Sequence, residues 1–214
     1  MTSDKKPIIL VSSTVYGIEE LLDRIYTLLT AFGYEVWMSH KGTLPVRSDR
    51  TAFENCLHAV EQCDLFLGII TTSYGSGKEG TNLSIVHQEI KKAIELNKPR
   101  WLLAHDHVVF LRRFLRDIRR DEPEKRLKLP LKKTAGSISD LRVIDMYEDA
   151  IRQSEPFPER NGNWVHKFAS DEEALHFATA QFSRFQEVER FIEENLFNPT
   201  EVQAKIDQRR KGDS

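Results

Sequence analysis

The places in this 214-residue sequence where chemistry can sit are a hydroxyl-rich junction, a glycine-rich loop and one glutamate. Ser12, Ser13 and Thr14 stand between an apolar run and a helical pattern. At such a junction hydroxyls cap a helix and backbone N–H groups face a phosphate or a ribose. The later segment TTSYGSGKEGTNLS carries Gly75, Gly77 and Gly80. It does not match a P-loop, because Gly77-Lys78 is followed by Glu79 and the earlier glycine is missing, so a flexible turn accounts for it. Glu89 is the most informative residue. With Ile85 at 0° and about 100° per residue, Leu96 falls near ~20°, Ala93 near ~80°, Val86 near ~100°, Ile90 near ~140° and Ile94 near ~180°. Glu89 falls near ~40°, inside that apolar arc. An ionised group left there without a partner would cost several kcal/mol, so the carboxylate either pairs or faces a cavity at the helix's N-terminal end. The plainer alternative is a dipole-stabilising or salt-bridged glutamate in an early helical turn.

Other chemically suggestive residues read as bland. His105-Asp106-His107 follows a strand pattern, where two histidines two apart diverge, and no CxxC or HExxH accompanies the seven histidines. No metal site is expected. Cys56 and Cys63 lie seven apart in one helical segment, roughly 10 Å along its axis, too far to bridge; they read as small core residues.

The elements that position these groups alternate. Ile8–Ser12 is a continuous apolar run typical of a strand buried on both faces, and Ile18 to Phe32 repeats at helical spacing before a stop at Gly33. A short strand over Tyr34–Met38, a polar loop SHKGTLPVRSDR, a helix carrying Phe53, Leu57 and Val60, and a strand over Leu65–Ile70 follow. A helix from about Leu83 to Leu96 then leads to a strand over Arg100–Asp106. This alternation predicts an α/β, flavodoxin-like, doubly wound parallel sheet of about five strands. Ligands then belong beyond the carboxyl ends of the strands, where SSTVYG, the polar loop and the glycine loop converge.

The pattern breaks over residues 107–163, which read as a basic helical insertion before the last strand. Leu111–Lys133 holds six arginines and four lysines against four acids, so the remainder of the chain is acidic. Phe110, Phe114, Leu115 and Ile118 give the segment an apolar stripe, which predicts docking rather than disorder. The basic run is a solvated face or a phosphate- or partner-binding patch. A helix over Ile138–Gln153, a linker PFPERNG, an edge strand over Trp164–Phe168 and a final helix from Ser170 to about Leu196 complete a single domain, 1–197, with a polar tail over 198–214.

A net charge of −2 is not the global signature of a nucleic-acid binder, so nucleic acid is not an expected partner. No apolar run approaches the ~18 residues of a membrane span, and none resembles a secretory leader. Two cysteines and no leader point to the cytoplasm.

The residues also carry a resemblance. SIVHQEIKKAIELNKP after DLFLGIITTSYG resembles the TIR-domain segment in which a polar and a bulky residue precede a glutamate, and is similar to the nucleoside 2-deoxyribosyltransferase pattern. ILVSSTVYGIEELLDRIYTLLTAFGYEVW resembles more closely an uncharacterised bacterial TIR-like family whose first strand ends V-S-S-T. The similarity covers about residues 7–105 and resumes at WVHKFASDEEAL. It implies a TIR-like fold and N-glycosidic bond cleavage, with Glu89 as the catalytic residue and NAD(P) as substrate rather than cofactor. It further implies a homo-oligomer or a partner protein, and a role as a defence or stress effector. Nicotinamide leaves NAD neutral, so no general acid is required, whereas a nucleoside base needs protonation. The transferase pattern has aspartates where this chain has Asn82 and Ser84, which favours NAD over nucleoside transfer. Tyr16, Trp37 and Tyr74 are candidates to stack on nicotinamide or adenine, or are simple packing. Ser84 either bonds ribose or caps its helix. With Gly75, these complete the expected binding set. By position, the polar loop corresponds to the TIR loop that meets neighbouring subunits, and it could gate the crevice. The alternatives are a nucleoside or nucleotide hydrolase or deoxyribosyltransferase, and a noncatalytic nucleotide-sensing or interaction module.

Overall fold

The computed structural model describes residues 6–75, 83–126, 128–131 and 137–184. The glycine stretch beyond Gly75, part of the basic run, the end of the final helix and the tail 198–214 lie outside the described residues. Two compact units divide the chain, Met1–Leu175 and His176–Ser214. Of the second, residues 176–184 are described, and they are helical as far as Phe182.

Within the first unit, β1 (Ile8–Ser13), β2 (Glu35–Trp37), β3 (Leu65–Ile70), β4 (Arg100–His105) and β5 (Val165–Phe168) form one parallel sheet in the order β2-β1-β3-β4-β5. This is the flavodoxin-like order expected from the alternation. The central strands are apolar over Ile8–Val11 of β1 and throughout β3 because helices cover both faces. From β1 the chain steps out to β2 and then works across to β5. Right-handed crossovers therefore place α1 (Glu19–Ala31) on one face, and α2 (Ala52–Gln62), α3 (Ile85–Glu95) and the β4–β5 insertion on the other. On that second face α2 packs on α3.

Local signals set the boundaries. Leu21, Leu22, Ile25 and Leu29 form the buried stripe of α1, and Gly33, at φ +93°, supplies the left-handed residue after its C-cap. A reciprocal capping box opens α2: Thr51 accepts from the Glu54 amide and Glu54 accepts from the Thr51 amide at 2.7 Å. Thr51→Ala is expected to lower stability by about 1 kcal/mol, read as a shift in the urea midpoint at unchanged slope. Gly68 of β3 lies beside Ser12 in register, and a Cβ there would meet Leu102 Cδ2 at 2.6 Å and Ile90 Cγ1 at 3.5 Å. The missing side chain lets α3 seat closely on the sheet, next to the position that Glu89 occupies.

The insertion is helical, as expected, with α4 (Asp106–Asp117), α5 (Pro123–Arg126) and α6 (Arg142–Ala150). Within it α6 packs on α4 and also on α3. Of the expected docking stripe, only Leu115 is buried. Val108, Val109 and Leu115 are the buried residues of α4, whereas Phe110, Phe114 and Ile118 are exposed and the two phenyl rings stack on each other in the open. The i, i+4, i+8 spacing is a true helical stripe, but the buried valines select the opposite side.

Candidate active site around Glu89

The carboxyl edge of the sheet is built from the ends of β1 and β3 and the first turns of α2 and α3. Ser84 caps α3, its Oγ accepting the His87 amide at 3.4 Å, and Glu89 follows in the second turn. The helical phase turns Glu89 inward, as its angular position predicts, and 7% of the residue is exposed. Ser12 Oγ donates to Glu89 Oε2 at 2.6 Å across the β1–α3 interface. The Cys56 thiol of α2 donates to the same carboxylate. No cation pairs with Glu89 among the described residues. Burial pushes its carboxyl up to about 7, with the Ser12 and Cys56 hydrogen bonds pulling the other way. Burial and the neighbouring Glu89 charge push the Cys56 thiol up to about 12, so this cysteine is a neutral donor and not a nucleophile.

Ser12→Ala removes the strongest interaction favouring ionised Glu89. Its titration midpoint is expected to rise by about one pH unit, followed by carbon NMR of the glutamate carboxyls. An unmoved midpoint would separate Ser12 from the acid.

The neighbouring hydroxyls serve one another. Ser13 Oγ donates to the carbonyls of Thr14 and Ile69 at 3.0 and 3.1 Å. Thr14 and Thr71 share a 2.6 Å hydroxyl contact, and Thr14 Oγ1 also reaches the Ser73 carbonyl at 3.1 Å. None of the three residues caps α1, which begins later, after an Ile18 with no side-chain cap. Instead Glu19 accepts the Gly17 amide at 2.9 Å. The junction is a hydroxyl knot that ties β1 to the β3–α3 loop. Gly75, at φ +85°, closes over it, since a Cβ there would lie 2.7 Å from Thr14 Cγ2.

The expected aromatic platform divides. Tyr16 is exposed. Trp37 is buried in the core, its indole N–H donating to Glu35 Oε1 at 2.8 Å, and presents no face for stacking. Tyr74 is 1% exposed. Its ring lies 4.7 Å from the Arg142 guanidinium and its hydroxyl 2.9 Å from His87 Nδ1, so it too is spoken for. Ser84 is buried and donates to the Tyr74 oxygen, which favours capping and internal bonding over a ribose contact. The polar loop after β2 is pinned at its end by Asn55, whose amide accepts from the Arg47 N–H at 2.8 Å and donates to the Arg47, Arg50 and Thr51 carbonyls.

His105 and His107 do not diverge, because the chain turns from β4 into α4 at Asp106. Their rings lie 4.6 Å apart, and the ligating atoms of His105, Asp106 and His107 fall within 4.8 Å of one another. His105 Nδ1 already accepts the His107 amide at 3.2 Å and serves as the N-cap of α4.

Sequence reasoning missed Cys56. It is the fifth residue of α2 and Glu89 the fifth of α3, and both helices start at the same sheet edge and pack side by side. Equal depth in two neighbouring crossover helices was the available signal.

Among known proteins, the family model described as "Domain of unknown function (DUF4062)" matches this chain over residues 8–196. No curated protein matches it.

Proposed function

This chain belongs to the DUF4062 family, and from the chemistry of its buried glutamate we propose that it cleaves N-glycosidic bonds, with NAD or NADP as substrate. The observation that supports this reading is a carboxylate at the ligand-binding edge of a doubly wound sheet, held by two neutral donors and balanced by no cation among the described residues. A cationic transition state supplies the missing charge. In NAD the bond from C1′ to the nicotinamide nitrogen breaks, the electron pair goes to the ring, and nicotinamide leaves neutral. Positive charge develops at C1′ and the ring oxygen beside the carboxylate. Water adds to C1′ and gives its proton to Glu89. Ser12 holds one carboxylate oxygen in place throughout, and the dry surroundings strengthen the attraction.

In this reading the chain is a TIR-like hydrolase of the cytoplasm that works as a homo-oligomer or with a protein partner. A second reading has its own support: with a midpoint of about 7, a good part of the Glu89 population keeps its proton at neutral pH and can protonate a departing nucleoside base. Ser84, bonded inward to Tyr74, stands where the transferase pattern has an aspartate, which weighs against that reading. The third is a noncatalytic nucleotide-sensing or interaction module.

Incubating the protein with NAD, NADP and a panel of nucleosides, beside Glu89→Gln, separates them. Nicotinamide release lost in the variant supports the first, base release the second, and binding without turnover the third.

A further inference from the structure

We infer that the β4–β5 insertion is a working part of the candidate site, with His87 and Asp149 as positioning residues that set residues 72–75 after β3 and the first turn of the Glu89 helix. The geometry rests on no activity; its kinetic consequence rests on the N-glycosidase reading.

Three buried side chains and one from α6 form a continuous chain. Tyr74 and His87 are each 1% exposed. The Tyr74 hydroxyl lies 2.9 Å from His87 Nδ1, and His87 Nε2 lies 2.9 Å from Asp149 Oδ2. Lys91 Nζ reaches the same Asp149 oxygen at 3.1 Å. Burial pushes the Asp149 carboxyl up, but the hydrogen bonds from His87 and Lys91 outweigh it and hold the group below the usual carboxylate range. A carboxylate only accepts, so Nε2 carries the ring proton. In the Nε2–H tautomer Nδ1 is the acceptor, and the Tyr74 hydroxyl donates to it. The Tyr74 oxygen in turn receives Ser84. Each donor is fixed by the next, from α6 through α3 to the loop.

The insertion holds the same loop at other points. Ser139 Oγ accepts the Tyr74 amide at 2.9 Å, and the Ser139 amide donates to the Thr72 carbonyl at 3.0 Å. Arg142 lies over the Tyr74 ring. The residues so held adjoin the hydroxyl knot: Ser73 accepts from Thr14, and Gly75 packs on the Thr14 methyl. At its other end the chain reaches Ser84, the cap of the helix that carries Glu89. The insertion therefore fixes one wall of the site although it follows β4 in sequence.

The test uses the full chain with two near-isosteric variants, Tyr74→Phe and Asp149→Asn. In the unmodified protein, nitrogen NMR at pH 7.5 is expected to show His87 in the Nε2–H form; Asp149→Asn admits the other tautomer. Amide exchange over 72–75 and 84–87 is expected to accelerate about tenfold in both variants and to stay unchanged in β1 and α1. With NAD, Tyr74→Phe raises KM about tenfold while the pH midpoint stays with Glu89. A proton on His87 Nδ1 in the unmodified protein overturns the inference. Unaltered exchange over these segments, or acceleration spread evenly through the molecule, does the same. If no NAD is turned over, the N-glycosidase reading fails, and the NMR and exchange arms still decide the positioning claim. If NAD is turned over with KM unmoved in Tyr74→Phe, the positioning claim alone fails.

Discussion

Glu89→Gln is expected to lower nicotinamide release by a factor of about 10³ or more and, at pH 8, to make the protein more stable. The first effect follows because an amide cannot balance positive charge at C1′ or take a proton from water. The second follows from burial. The folded carboxyl titrates near 7, against an ordinary value of 4.5. Between those values the native state binds the extra proton, so the stability contributed by protonated Glu89 is fully present below pH 4.5 and is lost as pH rises through 7. At pH 8 the buried charge costs about 3 kcal/mol relative to its neutral form. Glutamine carries no charge, and its carbonyl still accepts from Ser12. Urea unfolding at pH 8 should therefore show a gain of up to about 3 kcal/mol for the variant, shrinking towards zero by pH 4. A variant that is less stable at pH 8 would show that the carboxylate is better compensated than two neutral donors allow.

Arg126→Ala is expected to lose about 3 kcal/mol at neutral pH. Arg126 is 2% exposed and its guanidinium meets Asp145 and, at 2.9 Å, Glu148. Glu148 keeps Arg112 at 3.0 Å when Arg126 is removed, whereas Asp145 loses its strongest cationic partner. Burial pushes the Asp145 carboxyl up even with Arg126 attracting its charged form, so without Arg126 the acid is driven further towards neutrality. Among the described residues Arg126 Nε and Nη1 find no acceptor, a desolvation cost that keeps the loss at the lower end for a broken buried pair. The deficit should shrink as pH falls and Asp145 takes its proton. Arg126→Met, which keeps the stem and drops the charge, should retain more stability than alanine because part of the loss is packing. Thermal or urea unfolding of both variants at pH 7.5 and pH 5 checks the size and the trend.

The architecture was legible because its signals are local. IILV, ahead of Ser12 and Ser13, and LFLGII are apolar without alternation, which only a strand covered on both faces tolerates, and the helices between them dictate parallel pairing. Glu89 was legible for a related reason: the apolar arc of α3 is defined by its own residues, and the acid sits inside it. What escaped depends on contacts between elements distant in sequence. Cys56 acquires its partner only when α2 and α3 lie at equal depth. Tyr74 is an aromatic beside a glycine loop in sequence, yet α6 covers it, and the fold of the insertion carries no periodicity that announces this contact. Phe110, Phe114 and Ile118 mislead because a short helix rich in arginine offers two apolar stripes, and packing against α6 chooses between them.

The most direct measurement is the pH dependence of nicotinamide release from NAD by the unmodified protein, beside Ser12→Ala and Glu89→Gln. Glu89 acting as a buried carboxylate predicts a rate that climbs with pH through a midpoint near 7, a higher midpoint in Ser12→Ala, and release lowered by about 10³ or more in Glu89→Gln. Release that persists in Glu89→Gln with the same profile, or its absence from the unmodified protein across the whole range, would contradict the role assigned to this acid.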